Sequence, residues 1–158
     1  MGAGEEEGEG EGEGEGEGEG VELMLVCIAY DAFLMHLKII WKQPMIYRIT
    51  ESPDWLQALR SEQFASADLA LEGFIHCSEK HQVLRTATKY YVGKVGLLLL
   101  EINDMMLGEN VRRENAAGRG EDFPHVYAPI PIAAIQRHFI FLADETGRFI
   151  LPAALSAL

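Results

Sequence analysis

The stretch KVGLLLLEIN, residues 94–103, limits the folds open to this chain more than any other. A continuous apolar run of strand length, with no polar residue at alternate positions, describes a strand covered on both faces. Other elements must then lie above and below it, and the flanking sequence supplies them. MIYRI, residues 45–49, is a short strand of β-branched and aromatic residues. TESPDWLQALRSEQF reads as a helix with Ser52 in a capping position, Pro53 at the first helical position, and Trp55, Leu56 and Leu59 turned inward. GFIHC, residues 73–77, is a second strand. A helix opens at Ser78 or Glu79 and gathers Val83, Leu84, Ala87, Tyr90 and Tyr91 into one apolar stripe. RHFIFLADETGRFIL closes the chain as a hairpin with its turn near Thr146 and Gly147. The fold class expected is α+β, a compact mixed domain of small sheets over residues 45–158.

The 44 residues upstream are of a different kind. Residues 1–20 are an acidic repeat of glycine and glutamate, expected to be a disordered tail because it has high chain entropy and nothing apolar to bury. Residues 1–22 hold ten glutamates and no lysine or arginine, so of the net charge of −12 only −2 falls on the rest of the chain, which is nearly neutral. A nearly neutral domain has no basic stripe to track a phosphate backbone, and polymeric nucleic acid is not an expected partner. Residues 21–44 form an apolar extension, but Asp31, His36 and Lys38 interrupt it, and no membrane span is expected there. A helix packed on the domain, a membrane-surface segment, and sequence foreign to the mature protein all remain open for it. Cys27 and Cys77 lack the spacing of a disulfide framework or a zinc ribbon. Each reads as a small buried hydrophobe in a reducing, intracellular compartment, by default the cytoplasm.

Chemistry concentrates at Arg48, His76, Glu114, His125 and Tyr127. Arg48 alternates with Tyr47 and Ile49, so it faces away from them; alone, it is a strand residue on the solvent side. His76 ends the second strand, where a hydrogen-bonded structural role is the ordinary one. Glu114 follows Arg112 and Arg113 and reads as a surface carboxylate in a charge cluster. In FPHVYAP two prolines stiffen a segment that projects His125 and Tyr127 to one side, a form suited to a flat ligand with a polar group or to a loop that plugs its own domain. The His76 to His81 spacing does not place both on one helix face, no HExxH occurs, and no metal site is assigned. GxSxG, P-loop and GxGxxG motifs are absent.

In order and spacing, MIYRI, DWLQAL, EGFIHCS, HQVLRTATKYYVG, LLLLEIN, RRE and FPHVYAPIPIAAI resemble the family known as domain of unknown function 952, over about residues 45–135. Met45 would be a natural start for such a domain. A weaker similarity reaches RNA 2'-phosphotransferases and the wider ADP-ribosyltransferase-like superfamily, in which a first strand and a later strand ending in H-x-S border a nucleotide cleft. This sequence departs from that pattern, with Arg48 in place of the first-strand histidine and Ile49 in place of the following glycine. The similarity implies an ADP-ribosyltransferase-like fold and a transferase acting on NAD or an ADP-ribose or nucleotide-like small molecule. NAD enters as a substrate, and no resident cofactor is assigned. His76 and Glu114 would be catalytic, and Arg48, Ser78, His125 and Tyr127 would bind the ligand. The alternative is a non-catalytic domain that binds a small ligand or a protein on the same fold.

Overall fold

The computed structural model describes residues 43–115, 118 and 120–156. The expectations for residues 1–20 and 21–42, and for Cys27, lie outside the described residues. The described part is α+β, built from short helices and three small antiparallel sheets.

The apolar run forms β4 (Leu97–Asn103), central in a sheet ordered β1 (Met45–Glu51), β4, β8 (Ile135–Phe141). Ile46 lies opposite Ile102 and Thr50 opposite Leu98 on one side, while Leu99 faces Phe139 on the other. Side chains of a strand alternate between faces, and here each set finds its own core. Leu100 and Ile102 pack with Ile46, Trp55, Phe64 and Ile75. Leu97 and Leu99 pack with Tyr47, Val83, Phe141 and Phe149. Glu101, buried within this apolar run, accepts hydrogen bonds from Tyr47 Oη at 3.1 Å and from Arg137 Nη2 at 3.0 Å. A buried carboxylate is tolerable only when paired in this way. Burial, followed by the Glu101 charge, pushes the Tyr47 hydroxyl up to about 12.

Helix α1 (Ser52–Ser61) has proline in its first turn as expected, but Glu51 takes the capping position. Ser52 turns away and donates through Oγ to the Gly96 carbonyl at 2.7 Å, tying the start of α1 to the entry of β4. Trp55 and Ala58 form the buried face, whereas Leu56 and Leu59 are about half exposed. The inward stripe is therefore one residue pair narrower than the apolar spacing suggests. Strand β2 (Gln63–Phe64) pairs with β7 (Ile130–Pro131) and leads to the six-residue helix α2 (Ala67–Glu72). Gly73 ends α2 in the left-handed region at φ 87°, where a side chain would be strained, and releases the chain directly into Phe74.

The expected second strand is only β3 (Ile75–His76), paired with β6 (Phe123–Val126), which also pairs with β5 (Val111–Glu114). The next helix starts later than expected: a 3-10 turn, Lys80–Gln82, is fixed by a reciprocal capping box between Glu79 and Gln82, and α3 runs over Val83–Tyr90. Val83 and Ala87 are fully buried and Leu84 and Tyr91 partly so, while Tyr90 is half exposed. The closing hairpin narrows to one bridge, Ala143 to Phe149, around a turn at Asp144–Gly147, before the short helix α4 (Ala153–Ser156). Two backbone hydrogen bonds of 2.8 Å between Tyr47 and Ser78 stitch β1 to the chain leaving β3. The β1–β4–β8 sheet and the β3–β6–β5 sheet are thus joined at their sides.

Candidate functional site

Where those two sheets meet, a cavity of about 1050 Å³ opens, large enough for a nucleotide-sized molecule. Residues 47–51 of β1 form its floor. Phe74, His76, Cys77, Ser78, Glu114, Phe123 and His125 form one wall, and α3 contributes Arg85, Thr86 and Lys89 to another.

Arg48 is not on the solvent side of its strand, for its side chain is only 13% exposed. Its Nη1 donates to Asp68 Oδ2 and to the His76 carbonyl, both at 2.7 Å, and the His76 N–H donates to the same Asp68 oxygen at 3.0 Å. Ser66 Oγ donates to the other carboxylate oxygen. One guanidinium and one carboxylate thus grip the backbone of His76 on both its donor and its acceptor. Burial pushes the Asp68 carboxyl up, but the Arg48 charge, the Ser66 hydroxyl and the His76 N–H outweigh it and hold the group below its ordinary range. Arg48 Nε is buried without a hydrogen-bond partner. A donor in that state costs about 1–3 kcal/mol, and among the described residues no other buried side-chain nitrogen or oxygen shares it.

His76 and His125 are direct cross-strand partners on β3 and β6, with ring centroids 5.1 Å apart and edge to face. Each is oriented by a carboxylate. The His76 ring, about half exposed, donates through Nε2 to Glu72 Oε2 at 3.1 Å. The buried His125 ring donates through Nδ1 to Glu114 Oε1 at 3.1 Å. An ionised carboxylate only accepts, so these contacts place a proton on each of those nitrogens. Glu114 is paired with neither neighbouring arginine. Arg113 bridges Asp104 and Glu79 at 2.6 and 2.7 Å, and the Arg112 guanidinium lies over the Tyr127 ring at 4.7 Å. Instead Tyr127 Oη donates to Glu114 Oε1, the same oxygen that His125 contacts. The Tyr127 hydroxyl, then His125, holds the Glu114 carboxyl below its ordinary range, while that hydrogen bond raises the tyrosine. The arrangement is an ionised carboxylate aimed by two donors at a cavity wall.

Of the six residues singled out from sequence, Arg48, His76, Ser78, Glu114 and His125 line this one cavity. Tyr127 does not line it; its hydroxyl reaches the site through Glu114, and its ring packs 5.4 Å from that of Phe74. Ser78 Oγ is shared with Thr86 Oγ1 at 3.1 Å. Sequence reasoning missed Phe74, whose ring sits 4.2 Å from His125 and 4.8 Å from His76. Its position two residues before His76, on the same side of an extended segment, was the available signal. It also missed Asp68 and Glu72, which no local pattern distinguishes from ordinary helix surface. Cys77 is 4% exposed, and burial pushes its thiol up to about 12, which leaves it an inert core residue. Among the described residues no group of three or more histidine, cysteine or acidic side chains is arranged to hold a metal, and no helix is long and apolar enough to cross a membrane.

A family model described as "Protein of unknown function (DUF952)" matches residues 49–138. Among solved structures, the chain is similar to the X-ray crystal structure of protein CC0527 from Caulobacter crescentus, with 33% sequence identity and a TM-score of 0.65, covering 71% of this chain and 98% of that one. The solution NMR structure of the same protein matches at 32% identity and a TM-score of 0.61, covering 72% and 96%. No curated protein matches the chain.

Proposed function

The chain belongs to the DUF952 family, and from that premise we propose that its cavity is the active site of a transferase acting on NAD or another ADP-ribose-containing nucleotide. The observation that carries this reading is the meeting of Arg48, His76, Ser78, Glu114 and His125, drawn from four strands and a connecting loop, on one cavity of nucleotide size. Cleavage of an N-glycosidic bond builds positive charge on the ribose as the bond's electron pair leaves with the nicotinamide nitrogen. An acceptor oxygen then bonds to the anomeric carbon and gives up its proton to solvent. The demand on the protein is chiefly electrostatic. Glu114, ionised and aimed by Tyr127 and His125, supplies the negative charge. His76 hydrogen-bonds a ribose or phosphate oxygen of the ligand, and Ser78 offers a hydroxyl beside it. Arg48, with Nη1 already committed, anchors His76 and lines the floor on which the ligand rests.

That commitment of Arg48 Nη1 favours a second reading, in which the cavity binds the same class of ligand without turnover. Calorimetric titration of the 158-residue chain with NAD and with ADP-ribose, paired with an assay for released nicotinamide, separates the two. Binding of both with nicotinamide release supports the transferase. Binding without release supports the non-catalytic domain. Failure of both ligands to bind at millimolar concentration removes the nucleotide reading.

A further inference from the structure

Most charged side chains of the cavity are answered by a neighbour. Arg48 pairs with Asp68 at 2.7 Å and Lys94 with Glu51 at 2.6 Å. On the opposite wall Glu72 is taken by His76, and Glu114 by His125 and Tyr127. The α3 wall differs. Among the described residues no carboxylate forms an ion pair with Lys89, whose ammonium lies over the Tyr90 ring at 5.2 Å. Arg85, four residues earlier and therefore on the same face about 6 Å along the axis, also lines the cavity. It contacts Glu121 through Nη2, and Glu121 is outside the cavity lining and is held there by Gln82 as well. Thr86, beside Arg85, adds a hydroxyl to the same wall.

Two cations one helical turn apart, one a planar fork and one a point charge, answer a group that spreads several acceptor oxygens over adjacent centres. A single carboxylate would be satisfied by either cation alone. We propose that the α3 wall is a phosphate subsite, that the ligand is a phosphate or diphosphate ester rather than a nucleoside, and that Lys89 is the residue that reads the phosphate. This rests on the reading of the cavity as a nucleotide site and adds to it the part of the ligand that discriminates. With its phosphate against α3, the ligand's sugar extends along the floor of β1 toward Glu114 and His76.

Lys89 is exposed and contributes nothing to either core, so Lys89→Gln leaves the fold intact. The test is calorimetry of ADP-ribose and of adenosine on the wild-type chain, on Lys89→Gln, and on Arg60→Gln, which removes a like charge from the exposed surface of α1 away from the cavity. The expected result is about a tenfold loss of ADP-ribose affinity in Lys89→Gln, with adenosine affinity unchanged and Arg60→Gln indistinguishable from wild type. ADP-ribose that binds wild type and Lys89→Gln equally overturns the phosphate subsite while leaving the nucleotide reading standing. Equal weakening of adenosine, or equal weakening by Arg60→Gln, overturns it too. Absence of binding by both probes to the wild-type chain removes the nucleotide reading, and the subsite with it.

Discussion

The two sheets that meet at the cavity are built on opposite rules. The β1–β4–β8 sheet is held by apolar side chains on both faces of β4, and its one buried acid, Glu101, is neutralised on the spot by Tyr47 and Arg137. In the β3–β6–β5 sheet the strands are two to four residues long, and beside Phe123 the side chains turned to the cavity are two histidines and a glutamate, tied by hydrogen bonds of His76 to Glu72 and of Tyr127 and His125 to Glu114. Apolar burial is non-directional and tolerates small shifts, whereas a hydrogen-bonded carboxylate has one aim. The first sheet is therefore the platform, and the second holds polar groups at fixed positions that stability alone would not require.

If this contrast is right, substitutions in the two regions must separate stability from binding. The largest expected loss of stability is at Leu99→Ala in the centre of the apolar sheet, fully buried, at about 3 kcal/mol, read from the midpoint of chemical denaturation. A cost under about 1 kcal/mol would mean that β4 is not the structural centre. Next is Asp68→Asn, which breaks the grip on Arg48 and on the His76 backbone. It is expected to cost about 2 kcal/mol by the same measurement, a charged hydrogen bond between two mostly buried groups.

The same residue gives the pH dependence. Because the folded-state Asp68 carboxyl lies below its unfolded value, its contribution is fully present above the ordinary carboxylate range and is lost as pH falls through the folded value. Acid-side denaturation curves of Asp68→Asn should lack that part of the decline, and curves parallel to those of the wild type would contradict the pairing.

His76→Ala removes a half-exposed ring, so a stability change under about 1 kcal/mol is expected beside a loss of ligand affinity of tenfold or more. A variant that fails chiefly by unfolding would make His76 a structural residue and erase the division between the sheets. The smallest effect is at Tyr127→Phe, where the Glu114 carboxyl should rise toward its ordinary value, visible by NMR titration of the side-chain carboxyl carbon. No movement would mean that the tyrosine does not aim the carboxylate.

The division between platform and site also sets what could be read from the amino acids. LLLLEIN and MIYRI were legible because strand identity and two-sided burial are written in consecutive residues. Helix α1 was legible through Pro53 and Trp55, but the exposure of Leu56 and Leu59 was not, because it depends on how α1 lies against the sheet. The short strands β5 and β6 and the narrowing of the closing hairpin to one bridge are set by pairing across the chain rather than by local pattern. Arg48 was noticed, yet its partner Asp68 is 20 residues away on a six-residue helix, and nothing in ADLALE marks one acid above another. Glu114 stood out for its arginine neighbours and found its partners in His125 and Tyr127 instead.

The central claim is that ligand enters between the sheets, against the polar one. NMR of the histidine ring signals during an ADP-ribose titration of the 158-residue chain tests it most directly. His138, its ring tilted against that of Trp55 at 5.1 Å and outside the cavity lining, serves as the reference. The account predicts saturable shifts of the His76 and His125 ring signals with His138 unmoved; saturation that moves His138 and leaves the other two in place would contradict it.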